Sequence, residues 1–128
     1  MAPITGLYAG ILALLFVALS VRTLRIRRRN QIAVGDGGNS EMLRAIRVHG
    51  NFAEYAPLAL LLVALVESNG AGANWVHALG AALVLGRLSH AFGVSKPKED
   101  FRFRVLGMSL TFFTLVGAAL TLLFYSVS

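Results

Sequence analysis

Long uncharged apolar runs alternate along this chain with short polar breaks. Ile4 to Val21 and Val105 to Val127 hold no charged residue, Ala56 to Val66 is purely apolar, and Asn74 to Phe92 carries one permanent charge, Arg87. A helix needs about 20 mostly apolar residues to cross the hydrocarbon core of a bilayer, and about 17 suffice when its flanks reach the interface. The pattern predicts four membrane-spanning helices, over about 4–21, 40–68, 74–93 and 101–126. The breaks support these bounds. Gly35, Asp36, Gly37 and Gly38 break the helical pattern between Asn30 and Asn39, and Asn39 or Ser40 is placed to cap the helix that follows. At about 1.5 Å per residue that second helix exceeds about 40 Å, with a polar first half and an apolar second half. Ser68 to Gly72 is a short turn, which makes its flanking helices antiparallel neighbours. Trp75, just beyond it, sits where an interfacial aromatic belongs. Lys96 to Asp100 forms the last loop. The expected fold is all-α, one integral membrane four-helix bundle.

Composition narrows the chemistry. Hydrophobic residues make up 56% of the 128, more than soluble globular domains carry. The absence of cysteine excludes disulfides, thiolate metal sites and a cysteine nucleophile, and three widely spaced histidines offer no metal-ligand cluster. A net charge of +6 does not indicate nucleic acid, because no basic face on a soluble scaffold and no interleaving of aromatic with basic residues accompanies it.

The charge instead reports topology. All twelve lysines and arginines lie at the ends of the first and third spans or the starts of the second and fourth, and the connection between spans two and three has none. Both basic loops are therefore expected in the cytoplasm and both termini in the periplasm. No basic region precedes the first span and no small-residue cleavage site follows it, so it is expected to be retained rather than removed as a signal peptide. Arg25 to Arg29 are expected to meet anionic lipid headgroups, at about 1 kcal/mol per charge near the surface. Gly6 and Gly10 on span one, with Gly107 and Gly117 on span four, are candidates for close helix packing.

One stretch carries candidate chemistry. At 100° per residue, Arg44, Arg47, Asn51, Glu54 and Tyr55 fall within an arc of roughly 100° on one face of the second helix. An ionisable group at membrane depth costs about 2.5 to 3.5 kcal/mol, so this stripe should face the bundle interior or a polar cavity. Arg87, His90, Arg102 and Arg104 lie at the same end of the bundle, on spans three and four. Together the two groups would make a cationic cleft for a small ligand with several carboxylates.

The stripe R-x-x-R-x-x-x-N-x-x-E-Y-x-P, from Arg44 to Pro57, resembles the second-helix signature of the MAPEG proteins, the membrane-associated proteins of eicosanoid and glutathione metabolism. Gly86-Arg87-Leu88 with His90 and Gly93, and Arg102-x-Arg104 followed by Gly107-Met108, resemble the bacterial inner-membrane branch. The resemblance implies a homotrimer with glutathione bound between neighbouring subunits in the cytoplasmic half of the membrane. It implies that Arg44, Arg47, Asn51, Glu54 and Tyr55 hold that peptide and that an arginine at the start of the fourth helix faces its sulfur. Arg104 matches best and Arg102 competes with it. The implied second substrate is a lipophilic electrophile or lipid hydroperoxide arriving through the membrane lipids. The chain departs from eicosanoid-forming members, which commonly carry tyrosine at the positions of His90 and Val94.

Physical chemistry fits this implication. Guanidinium groups grip the two carboxylates of glutathione in bidentate fashion, and Glu54 can accept its amine. A nearby permanent cation lowers a thiol pKa from about 8.5 toward neutrality, which makes Arg104 the candidate activator. The expected function is a glutathione transferase or peroxidase. A non-catalytic glutathione- or lipid-binding protein of the same fold is the alternative, motivated by His90 and Val94. A small proton-coupled transporter using Glu54 is a third reading.

Overall fold

The structure is a computed structural model that describes residues 1–127. Four helices account for nearly all of it: α1 (Pro3–Asn30), α2 (Ser40–Ser68), α3 (Ala73–Ser95) and α4 (Phe101–Val127). Each is long and apolar enough to cross a bilayer. They run up and down in turn, as cross-helix bonds show. Trp75 Nε1 donates to Thr121 Oγ1 at 3.0 Å at one end of the bundle, and Arg22 Nη1 donates to Ser95 Oγ at 2.6 Å at the other. The expected spans match α2 to within a residue, whereas α1 continues for nine residues past Val21. Its arginine-rich end stays helical because cations complement the C-terminal dipole, and it stops where Gln31 turns left-handed with φ 54°. Arg27 Nη1 there donates to the Gly35 carbonyl at 2.8 Å, and Arg29 pairs with Glu41, so the basic run also ties the α1–α2 loop.

Caps settle the other ends. Asn39 is the cap of α2, its side-chain oxygen accepting from Met42 N at 2.9 Å. The start of α1 has no cap of its own. Glu67, at the end of α2, supplies one across the bundle: its carboxylate accepts from Ile4 N at 2.8 Å and from Thr5 N and Oγ1, both at 2.7 Å. The α2–α3 turn requires the left-handed backbone of Gly70, φ 84°.

Helix α3 is the central element, with half of its most apolar window buried against 17% for α1. Large apolar side chains such as Leu14, Leu61, Val105, Leu120 and Phe124 point outward, as a lipid-facing surface demands and a water-facing one forbids. Lipid offers no hydrophobic drive between helices, so close packing must hold them, and small residues permit it. A Cβ on Gly86 would lie 2.8 Å from the Gly107 carbonyl oxygen, and one on Gly107 would lie 2.6 Å from that of Gly86. The α3 and α4 backbones therefore touch. Gly117 packs on Leu79 and Trp75, whereas Gly6 and Gly10 meet nothing within 4 Å.

Candidate functional site

The α3–α4 contact sets the floor of a cleft at the basic end of the bundle. A cleft of about 240 Å³ opens there, lined by Arg44, Arg47 and Asn51 of α2, His90 of α3, Glu99 of the α3–α4 loop and Arg104 of α4. Gly93 makes this convergence possible, since a Cβ there would lie 2.9 Å from Arg104 N. The two basic clusters, far apart in sequence, thus meet.

Each expected residue has a definite place. Arg44 reaches the loop, donating to the carbonyls of Val94 and Pro97, each at 3.3 Å, and pairing with Glu99 at 3.6 Å. Arg104 Nη1 donates to Glu99 Oε1 at 3.0 Å. Arg102 points away from the cleft and is exposed; its backbone N–H is capped by Asp100 Oδ1 at 3.0 Å. The buried His90 ring lines the cleft and has no hydrogen-bond partner among the described residues.

The rest of the stripe divides. Tyr55 turns inward, edge-on to Phe112 with ring centroids 5.8 Å apart, and under the guanidinium of Arg87. Glu54 faces outward and pairs with Arg47 at 3.8 Å, the two side chains 55% and 58% exposed. The expectation that the stripe faces the bundle interior or a polar cavity thus holds for Arg44, Arg47, Asn51 and Tyr55 and is corrected for Glu54. The reason is angular: Asn51 and Tyr55 point at α3 and α4, which leaves Glu54, one residue before Tyr55, on the flank of α2.

Arg87 lies behind the cleft rather than in its wall. It is 1% exposed, and its Nη1 donates to Asn51 Oδ1 at 2.6 Å while Nη2 donates to Thr111 Oγ1 at 2.7 Å and to Met108 Sδ at 3.4 Å. Its Nε has no partner, and no carboxylate pairs with it among the described residues. Arg87 thus ties α2, α3 and α4 together and holds by its Oδ1 the Asn51 side chain that lines the cleft.

Glu99 went unnoticed in the sequence as a site residue. The signal is faint, one of two acids in a loop that also carries Lys96 and Lys98, and its partner Arg44 is 55 positions away.

A model of the MAPEG family matches residues 5–124. The chain belongs to the MAPEG family. This MAPEG protein is also similar to the inner membrane protein YecN of Escherichia coli strain K12, 42% identical over 122 residues that cover 95% of this chain and 92% of the relative. The YecN protein of E. coli O6:H1 matches with the same identity and coverage. No solved structure matches this MAPEG chain.

Proposed function

We propose that this protein is a membrane-bound glutathione transferase or peroxidase of the bacterial inner membrane, working as a homotrimer with its basic loops in the cytoplasm and both termini in the periplasm. The observation that carries the reading is the convergence of Arg44, Arg47 and Arg104 with the unengaged His90 and the Asn51 amide on one cleft. These groups suit a flexible peptide with two carboxylates. Name and family support the location: the similar YecN proteins are inner membrane proteins.

The exposed pair Arg47–Glu54 supports the trimer. Glu54 lies midway along α2, about 21 Å from its start. A charge facing lipid at that depth costs about 2.5 to 3.5 kcal/mol. A neighbouring subunit covering this flank removes the cost and closes the cleft at Arg47. The open face of Gly6 and Gly10 on α1 is a second surface on which helices from neighbouring copies can approach closely.

In this reading Arg104 stabilises the glutathione thiolate, Arg44, Arg47, Asn51 and His90 position the peptide from the cleft, Glu54 meets it on the flank that a neighbouring subunit covers, and Tyr55 supports Arg87 behind them. For transfer, the sulfur forms a bond to an electrophilic carbon and the leaving group departs with its electron pair. For peroxidase action, two glutathione thiols supply two electrons and two protons, giving an alcohol, water and glutathione disulfide. Thiolate absorbance on adding glutathione to the purified protein, followed by conjugation of an activated aryl chloride, tests it. Absence of both sinks the reading.

A second reading, a non-catalytic binding protein of the same fold, is favoured by one contact. Arg104 is held by Glu99 at 3.0 Å, so its charge is partly spent inside the chain. Binding without turnover over a broad electrophile panel supports that reading, and conjugation lost in Arg104→Ala excludes it. Glu54 is 55% exposed on the flank of α2, a position that lends nothing to proton-coupled transport.

A further inference from the structure

The cleft has two unlike halves. In one, Glu99 spreads its carboxylate between two helices: Oε1 accepts from Arg104 Nη1 at 3.0 Å and Oε2 faces Arg44 Nη1 at 3.6 Å. Its side chain is 14% exposed, which is low for a loop acid flanked by lysine and aspartate. In the other half, Arg47 is held only by Glu54 at 3.8 Å, and neither the Asn51 amide nitrogen nor His90 has a partner among the described residues. One half of the site is already filled by the chain's own carboxylate. The other is open.

We propose that Glu99 is a displaceable gate: it occupies a carboxylate seat between Arg44 and Arg104, and a ligand with two carboxylates enters fully only by replacing it. This deepens the glutathione reading and rests on the cleft being a carboxylate site. Glutarate in that seat makes the same two ion pairs that Glu99 makes, whereas glutathione pairs a carboxylate with Arg44 and leaves Arg104, released from Glu99, for its thiol; in both cases the gain over Glu99 comes from the contacts that the ligand's other end makes with Arg47, Asn51 and His90. Glu99 competes well because the loop holds it in place, and short tethers give local concentrations of about millimolar or more. Discrimination comes from this built-in competitor as much as from attraction. A monocarboxylate settles in the open half and leaves Glu99 alone.

Displacement also has a mechanical consequence. Arg44 anchors the loop through Glu99 and through the carbonyls of Val94 and Pro97. A ligand that takes Arg44 loosens these ties, so ligand binding frees the segment 96–100 rather than ordering it. The face of the cleft that this loop covers opens as the ligand seats.

Calorimetric titration of the purified full-length protein with glutarate, propionate and glutathione tests the gate in wild type, Glu99→Gln and Glu99→Asp. A seat that Glu99 fills about nine-tenths of the time weakens a competing carboxylate about tenfold. Glu99→Gln should therefore bind glutarate about tenfold more tightly, with propionate binding unchanged within about twofold. Glu99→Asp, with its shorter reach, should fall between. Amide exchange in peptides covering 96–100 should rise with glutarate in wild type and rise less in Glu99→Gln. Equal or weaker glutarate binding in both folded variants overturns the gate, as does absence of glutarate binding throughout. The glutathione arm separates the two ideas. Glutarate tightened by Glu99→Gln without glutathione binding leaves the gate standing and removes the glutathione reading; glutathione bound equally by all three forms does the reverse.

Discussion

Arg87 and Asn51 meet across the α2–α3 interface, the guanidinium Nη1 of the buried Arg87 lying 2.6 Å from the Asn51 Oδ1. One residue of the pair belongs to the cleft wall and the other to the bundle interior, so the contact transmits the packing of three helices to the cleft. Hydrogen bonds between helices in membranes average about 0.6 kcal/mol, but bonds to a charged group reach about 1.5 to 3 kcal/mol. The buried charge of Arg87 puts this contact in the larger class. Asn51→Ala is expected to lower stability by about 1.5 to 3 kcal/mol. Because the loss comes from stranding a charge, Arg87→Met added to Asn51→Ala should restore part of it. Thermal unfolding of both variants in detergent measures this; a double variant less stable than Asn51→Ala would contradict it.

The touching backbones of α3 and α4 make a second prediction. Gly86→Ala and Gly107→Ala each drive a methyl to within 2.8 Å of a backbone oxygen, where no flexible side chain can give way. Each should destabilise by about 1 to 3 kcal/mol, the usual cost of overpacking. Gly10→Ala, whose new methyl meets nothing within 4 Å, is the control and should leave subunit stability within about 0.5 kcal/mol. Unfolding midpoints of the three variants decide the matter.

Glu67 caps α1 from the end of α2 through three hydrogen bonds. Loss of a cap typically costs about 0.5 to 2 kcal/mol. Glu67→Ala should therefore raise amide exchange over the first turns of α1 while leaving α3 protected. Uniform loosening of the bundle would show that Glu67 does more than cap one helix.

If the transferase reading holds, Arg104→Ala should cut kcat about 100- to 1000-fold, in the range lost when a single charge-stabilising donor is removed. Arg102→Ala, on the exposed side of α4, should stay within about twofold of wild type, since it touches neither the cleft nor its supports. Steady-state conjugation kinetics compare them. Comparable losses in the two would mean that the loop rearranges on binding.

Much of this was legible in the residues because it depends on one segment at a time. Uncharged runs long enough to span a bilayer, the glycine cluster of 35–38, the cap at Asn39 and the motif from Arg44 to Pro57 are local, and each constrains its own helix whatever the others do. The depth of Glu54 was local too. Its direction was not: whether a residue on the edge of a helical stripe turns inward depends on which neighbours α2 packs against, and here Asn51 meets Arg87 of α3 and Tyr55 meets Phe112 of α4, which leaves Glu54 outside.

By itself the sequence determined a four-helix membrane protein with all its basic residues at one end and a MAPEG signature on the second helix. Only the tertiary structure decided that Arg104 and not Arg102 lines the cleft, that Arg87 binds helices together behind it, and that Glu99 already fills the seat between Arg44 and Arg104. The physical reason is that periodicity orders side chains around one helix axis, whereas a binding site is made by contacts between helices, here set by three α3–α4 glycines that let the backbones approach.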